Sequence, residues 1–108
     1  MKYSFSEVVL LEFPFTDGQN SKLRPAVVVK DTEDSDIILV RVTSQIRNSE
    51  FDIEVTDWQS AGLKLPSIIR IHKIATMESN MIVKSLGNLS TDDSSKLKQV
   101  LAKLFSLE

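Results

Sequence analysis

The chain has 108 residues, 42% of them hydrophobic, and its 13 Lys and Arg against 15 Asp and Glu leave a net charge of −2. That length and balance suit a single globular domain over residues 1–108 and exclude a disordered chain or a uniformly basic nucleic-acid binder. With no cysteine and only one histidine, disulfides, thiolate zinc sites, thiol catalysis and multi-histidine metal centres are excluded, so no metal or other cofactor is expected.

The N-terminal stretch 7–13 (EVVLLEF) is rich in branched residues and predicts a strand that Pro14 ends. Glu7 and Glu12 bracket its apolar part, so it is no signal peptide, and no apolar run reaches the roughly 18 residues of a membrane span. A cytoplasmic location is expected, consistent with the absence of cysteine. Residues 16–22 (TDGQNSK) form a polar, glycine-containing loop. Residues 25–30 (PAVVVK) form a nearly continuous apolar run, the pattern of a strand buried on both faces.

An acidic turn at 31–36 leads into a third strand, 36–42 (DIILVRV), and residues 51–55 (FDIEV) alternate as a half-buried fourth. Residues 56–62 (TDWQSAG) predict one helical turn stopped by Gly62, with Trp58 a candidate core anchor. In 67–74 (SIIRIHKI), strand alternation puts Ile69, Ile71 and Lys73 on one face and Ile68, Arg70, His72 and Ile74 on the other. Residues 81–86 (MIVKSL) predict the last strand, stopped by Gly87.

The end of the chain changes period. Ser90, followed three residues later by Asp93, resembles a capping box. Leu97, Val100, Leu101, Leu104 and Phe105 then recur at helical spacing as one apolar stripe. Five or six short strands and one terminal amphipathic helix predict a mainly β domain: a small, strongly bent sheet or barrel with the helix packed on it.

Four stretches carry side chains suited to chemistry: Phe13 to Gly18, Lys22-Leu23-Arg24-Pro25, Thr43-Ser44-Gln45, and the pair Arg70 and His72. Taken singly, each reads as ordinary. Arg24 is a cation at a strand start, Thr43 and Ser44 are turn residues, Asp17-Gly18 is a common turn dipeptide, and a lone strand histidine is usually solvated or at a core edge. Together, Arg24, Arg41, Arg47 and Arg70 could supply a local phosphate-binding field despite the acidic total.

Read together, these segments resemble the MazF/PemK family of toxins from about Phe5 to about Leu104. The resemblance rests on the order and spacing of 8–18 (VVLLEFPFTDG), 22–29 (KLRPAVVV), 36–45 (DIILVRVTSQ), 62–67 (GLKLPS), 70–76 (RIHKIAT) and 86–90 (LGNLS). It implies an SH3-like twisted β-barrel with a C-terminal amphipathic helix, assembled as a homodimer. It also implies a toxin of a type II toxin–antitoxin system that cuts single-stranded RNA at short sequence motifs. Its partners would be that RNA and a cognate antitoxin with a flexible acidic segment, with which it would bind DNA.

Metal-free cleavage uses the substrate's 2′-hydroxyl as nucleophile, so a proton acceptor, a proton donor to the leaving 5′-oxygen and cations on the phosphorane are needed. Carried over by position, Arg24 would stabilise the phosphorane. Thr43 would hydrogen-bond the phosphate, with Ser44 supporting the same cradle, and Arg70 would bind phosphate or assist the leaving group. His72 stands where some branches have aspartate, and a histidine pKa near about 6.5 suits a base; with the base elsewhere, His72 only touches RNA. Thr16, Asp17, Lys22, Gln45, Arg47 and Lys73 are expected to contact RNA, the loop 16–22 gating the site. Ser6-Glu7 departs from the family's usual Gly-Asp at a position that looks structural. Two alternatives stay open: a non-catalytic SH3-like RNA- or protein-binding module, and an inactive relative that only binds antitoxin.

Overall fold

The computed structural model describes residues 2–14 and 21–106. Six strands form one antiparallel sheet: β1 (Glu7–Pro14), β2 (Ser21–Asp31), β3 (Asp36–Thr43), β4 (Asp52–Glu54), β5 (Ile68–Glu78) and β6 (Ile82–Asn88), with a 3-10 turn at Ser79–Met81 before β6. They lie in the order β4-β5-β3-β2-β1-β6, and the C-terminal helix α1 spans Thr91–Leu104. The expected mainly β architecture with a terminal helix is the one observed. No helix among the described residues is long and apolar enough to cross a membrane.

Alternation along the strands supplies two cores. Val8, Val27, Val40, Val42, Ile69 and Ile71 face one way and pack with Val55, Ala61, Leu63 and Leu97. Val9, Leu11, Ala26, Val28, Ile37 and Leu39 form a second cluster with Phe13, Met77 and Ile82 around it. The apolar run in β2 is thus buried on both faces, as its lack of polar alternation predicts.

Two strands are longer than expected, for one reason. A partner strand keeps pairing past the residue that local propensity marks as a boundary. β1 pairs with β2 as far as Pro14 opposite Ser21, so Lys22, Leu23 and Arg24 lie in β2 and not in a loop, and Pro25 sits inside the strand opposite Leu10. β5 follows β3 from Thr43 opposite Ile68 to Asp36 opposite Glu78.

The sheet's ladder stays open, with β4 and β6 at its edges. The segment after β4 brings the two edges together by packing. It makes the expected single turn, with the Ala61 N–H on the Asp57 carbonyl (3.2 Å), and closes at Gly62 with φ +83, where the Leu63 N–H bonds the Trp58 carbonyl (3.0 Å). A Cβ on Gly62 would lie 2.1 Å from the Leu86 carbonyl oxygen, and one on Gly87 would lie 2.9 Å from the Ala61 backbone. Gly87 therefore does not stop β6; it lies within the strand where the loop presses closest. Trp58 packs against the first core, as expected of an anchor.

Helix α1 begins at Ser90, whose hydroxyl accepts from the Asp93 N–H at 3.1 Å. Asp93 itself departs from the capping-box pattern. Its buried carboxylate turns away from the helix and accepts from Thr56 N–H (3.0 Å), Thr56 Oγ1–H (2.9 Å) and Asp57 N–H (3.3 Å), which ties the β4–β5 loop to the helix start. Leu97 is buried, and Val100, Leu101 and Leu104 pack on the core; Phe105, at the C-cap, is 61% exposed and outside the stripe's buried face. Ser6 adopts φ +74, the left-handed region glycine favours, which explains why Gly suits this position. It is held there by its N–H on Val28 O (2.9 Å) and the Leu89 N–H on its own carbonyl (3.0 Å).

Candidate functional site

Strand register concentrates positive charge. Arg24 and Ala26 share a face of β2; Ala26 lies opposite Arg41 of β3, and Arg41 lies opposite Arg70 of β5. Three arginines from three adjacent strands therefore point the same way. With Arg47 and Lys73 they line a hollow of about 180 Å³, whose polar floor is Thr43 and Gln45. Among the described residues, none that lines this basin is a carboxylate or a histidine. Like charges directly opposed across a ladder destabilise it, so the Arg41–Arg70 pair is an arrangement that folding alone does not favour.

Local contacts hold these cations in place. Arg70 Nε donates to Asp52 Oδ1 at 3.0 Å, where the Asp52 side chain is only 2% exposed. The Arg41 guanidinium sits 5.3 Å above the Phe13 ring centroid. Arg47 Nη2 donates to Gln45 Oε1 at 2.7 Å, and the Gln45 N–H donates to Thr43 Oγ1 at 3.1 Å. Because that oxygen already accepts, the Thr43 hydroxyl hydrogen is directed to another acceptor.

Burial pushes the Asp52 carboxyl up, but the Ser49 N–H and the Arg70 guanidinium outweigh it, and the net shift is downward. A carboxylate favoured in the folded state adds stability above its unfolded pKa of about 3.9, lost as pH falls through its lower folded value. The wild-type protein should therefore lose stability below about pH 4, and Asp52→Asn should flatten that loss. Thermal unfolding against pH checks this, and parallel profiles for the two proteins would contradict it.

A second hollow, of about 360 Å³, adjoins the basin. Arg24, Pro25, Val42 and Thr43 line both, so Arg24 and Thr43 stand on the ridge between them. Its remaining walls are largely apolar, from β1, β2, β6 and the β4–β5 loop, with Ser44, Lys64, Ser67 and Lys84 among them.

The structure gathers Arg24, Thr43, Gln45, Arg47, Arg70 and Lys73 in the basin and puts Ser44 in the adjoining hollow. Lys22 is exposed on β2 and lines neither hollow. Thr16 and Asp17 lie outside the described residues. His72 stands beside the basin without lining it: its Nε2 is 3.4 Å from Arg70 Nη2, its Nδ1 is buried without a hydrogen-bond partner, and its ring tilts against Phe51 at 6.0 Å. Since Arg70 can only donate, Nε2 is the acceptor in that contact and a neutral ring carries its proton on Nδ1. Asp52, Leu23, Leu65, Lys64 and Lys84 were not legible as site residues. Asp52 alternates like any exposed strand acid, and the others are brought in by the register of β2 and by the loop packing on β6. Among the described residues, no three acidic, histidine or cysteine side chains cluster where they could hold a metal ion.

Known proteins share this architecture. Residues 5–105 match the family model described as PemK-like, MazF-like toxin of type II toxin–antitoxin system. A MazE–MazF crystal structure from Deinococcus radiodurans superposes with a TM-score of 0.79 at 16% identity, covering 100% of both chains. An endoribonuclease in complex with its cognate antitoxin from a Mycobacterial species gives 0.74 at 17% identity, covering 98% of this chain and 97% of that one. The Mycobacterium tuberculosis toxin MazF-mt6 gives 0.70 at 16%, covering 93% and 98%. At these identities the structural likeness is one of fold. No curated protein sequence matches the chain significantly.

Proposed function

Since the chain belongs to the PemK-like, MazF-like toxin family of type II toxin–antitoxin systems, we propose that it is a sequence-specific endoribonuclease that cuts single-stranded RNA without a metal ion. The observation that carries this reading is the basin itself: Arg24, Arg41, Arg47, Arg70 and Lys73 converge on one hollow, and among the described residues only Arg70 has a carboxylate partner there, Asp52. A phosphodiester supplies the missing negative charge.

In the proposed reaction the 2′-oxygen gives its proton to a solvent water as it attacks the adjacent phosphorus, and the 5′-oxygen takes a proton from water as its bond to phosphorus breaks. The products are a 2′,3′-cyclic phosphate and a 5′-hydroxyl. Arg24 holds the non-bridging oxygens through its guanidinium fork as charge builds on them, and Arg41 and Arg70 face the same phosphate. Thr43 donates its hydroxyl hydrogen to a phosphate oxygen, and Gln45, Arg47 and Lys73 hold flanking backbone. Ser44 lines the next nucleotide's side of the ridge. Thr16, Asp17 and Lys22 belong to the stretch that would meet RNA at the entrance. The need for a 2′-hydroxyl spares DNA.

His72 acts through Arg70 in this scheme, because one ring nitrogen is taken by that guanidinium and the other is buried. His72→Gln, which keeps an acceptor near Nε2, should retain cleavage within about tenfold and keep the wild-type pH profile. A loss beyond about a hundredfold with a flattened profile would restore His72 as the general base.

The antitoxin partner supported by the family is one whose acidic, flexible segment lies over the basin and competes with RNA for the same cations. A homodimer in the cytoplasm completes the proposal. That no imidazole or carboxylate lines the basin among the described residues favours a binding-only module instead. Purified protein incubated with single-stranded RNA in EDTA separates the two: new 5′-hydroxyl ends support the nuclease, and RNA that is bound but intact selects the binding module.

A further inference from the structure

We propose that the second hollow is a nucleobase subsite, taking uracil, next to the scissile phosphate. This rests on the nuclease reading and deepens it. The hollow shares Arg24, Pro25, Val42 and Thr43 with the cationic basin, so a phosphate held by Arg24 and Thr43 has its neighbouring base at the hollow's mouth. The linkage between a phosphate and its own nucleoside spans that ridge without a break in the surface.

The walls suit a base and not more backbone. Leu23 and Leu65 stand 50% and 58% exposed beside a charged basin, an expensive place for bare apolar surface unless a flat apolar face covers it. Leu63 forms part of the wall behind them. The wall is preformed: the loop is pinned by Gly62 against Leu86, and the buried Ser67 hydroxyl donates to the Leu65 carbonyl at 2.8 Å. A rigid, partly apolar recess of this kind binds unstacked bases of single strands.

The polar groups choose among bases. Arg24, Lys64 and Lys84 are the ionic donors on the walls, and among the described residues no carboxylate lines the hollow. Lysine can only donate. Uracil offers two carbonyl acceptors, O2 and O4, and no exocyclic amine, whereas adenine, cytosine and guanine each carry an exocyclic amine that finds no ionic acceptor among the described residues. Cleavage would accordingly favour sites with U beside the cut.

The test uses the wild-type protein with methyl-labelled leucines and short 2′-O-methyl oligonucleotides, which cannot be cut. Oligo(U) should shift the Leu23, Leu63 and Leu65 methyl signals and the Arg24 side-chain signal together. An abasic oligomer of the same phosphate count should move only the arginine signal, and oligo(A) should bind more weakly than oligo(U). Leu65→Ala should shrink the affinity difference between oligo(U) and the abasic oligomer by about tenfold. Arginine signals that respond to every oligomer while the leucine methyls stay still would overturn the subsite and leave the nuclease reading standing. Methyls that respond only to an acidic peptide would assign the hollow to a protein partner and overturn it as well. No response from arginines or leucines would remove both readings.

Discussion

Arg24→Ala is expected to reduce RNA cleavage by about a thousandfold or more while leaving the thermal midpoint within a few degrees of wild type. The size follows from its position. Arg24 stands on the ridge shared by both hollows, and a guanidinium aimed at a phosphorane typically contributes a factor of about 10³ to 10⁵. The fold should tolerate the change because the side chain is exposed; its strand is held by the β1 ladder and by buried Ala26, Val27 and Val28. Exposed substitutions away from caps and networks usually stay within about 0.5 kcal/mol. Arg24→Lys should recover little, since it keeps the charge but loses the fork that spans two phosphate oxygens. Cleavage kinetics paired with thermal unfolding check this, and near-wild-type cutting by the alanine variant would remove Arg24 from the centre of the mechanism.

Gly62→Ala should be the most damaging small substitution in the chain, destabilising it by about 3 kcal/mol or more and lowering the midpoint by more than about 10 °C. Two penalties add. The position has φ +83, where a Cβ costs about 1–2 kcal/mol. The new methyl would also sit 2.1 Å from the Leu86 carbonyl oxygen, a backbone atom and not the end of a flexible side chain. Relief requires the β4–β5 loop to leave β6, exposing Ala61 and Leu63 and pulling on the Asp93 hydrogen bonds to Thr56 and Asp57. The second hollow would open with it. Denaturation of the variant checks this, and a midpoint within a few degrees of wild type would mean that the loop yields easily.

Strand identities and the terminal helix were legible because their signals are local: alternation in β5, unbroken branched residues in β2, and Ser90 before a helical stripe. Boundaries were not, because Lys22 to Arg24 are strand only through their pairing with β1, a relation no local window contains. The turn at Gly62 resembled a helix stop, yet its left-handed glycine serves a contact with a strand more than twenty residues later. The site was legible in part. The resemblance singled out Arg24, Thr43 and Arg70, and charge singled out Arg41 and Arg47; that Arg41 stands opposite Arg70, and that Asp52 anchors that arginine, are relations only the strand register contains. His72 shows the limit most clearly: its residue type suits a base, and only the fold shows one ring nitrogen 3.4 Å from the Arg70 guanidinium and the other buried with no hydrogen-bond partner among the described residues.

The convergence of Arg24, Arg41 and Arg70 on one scissile phosphate is tested most directly by a crystal structure of the protein with RNA carrying a 2′-deoxy nucleotide at the cleavage position. The expected density places that phosphate within hydrogen-bond distance of the Arg24 guanidinium and the Thr43 hydroxyl, with Arg41 and Arg70 facing it. A scissile phosphate bound on another surface, with the basin left to solvent, would contradict the mechanism.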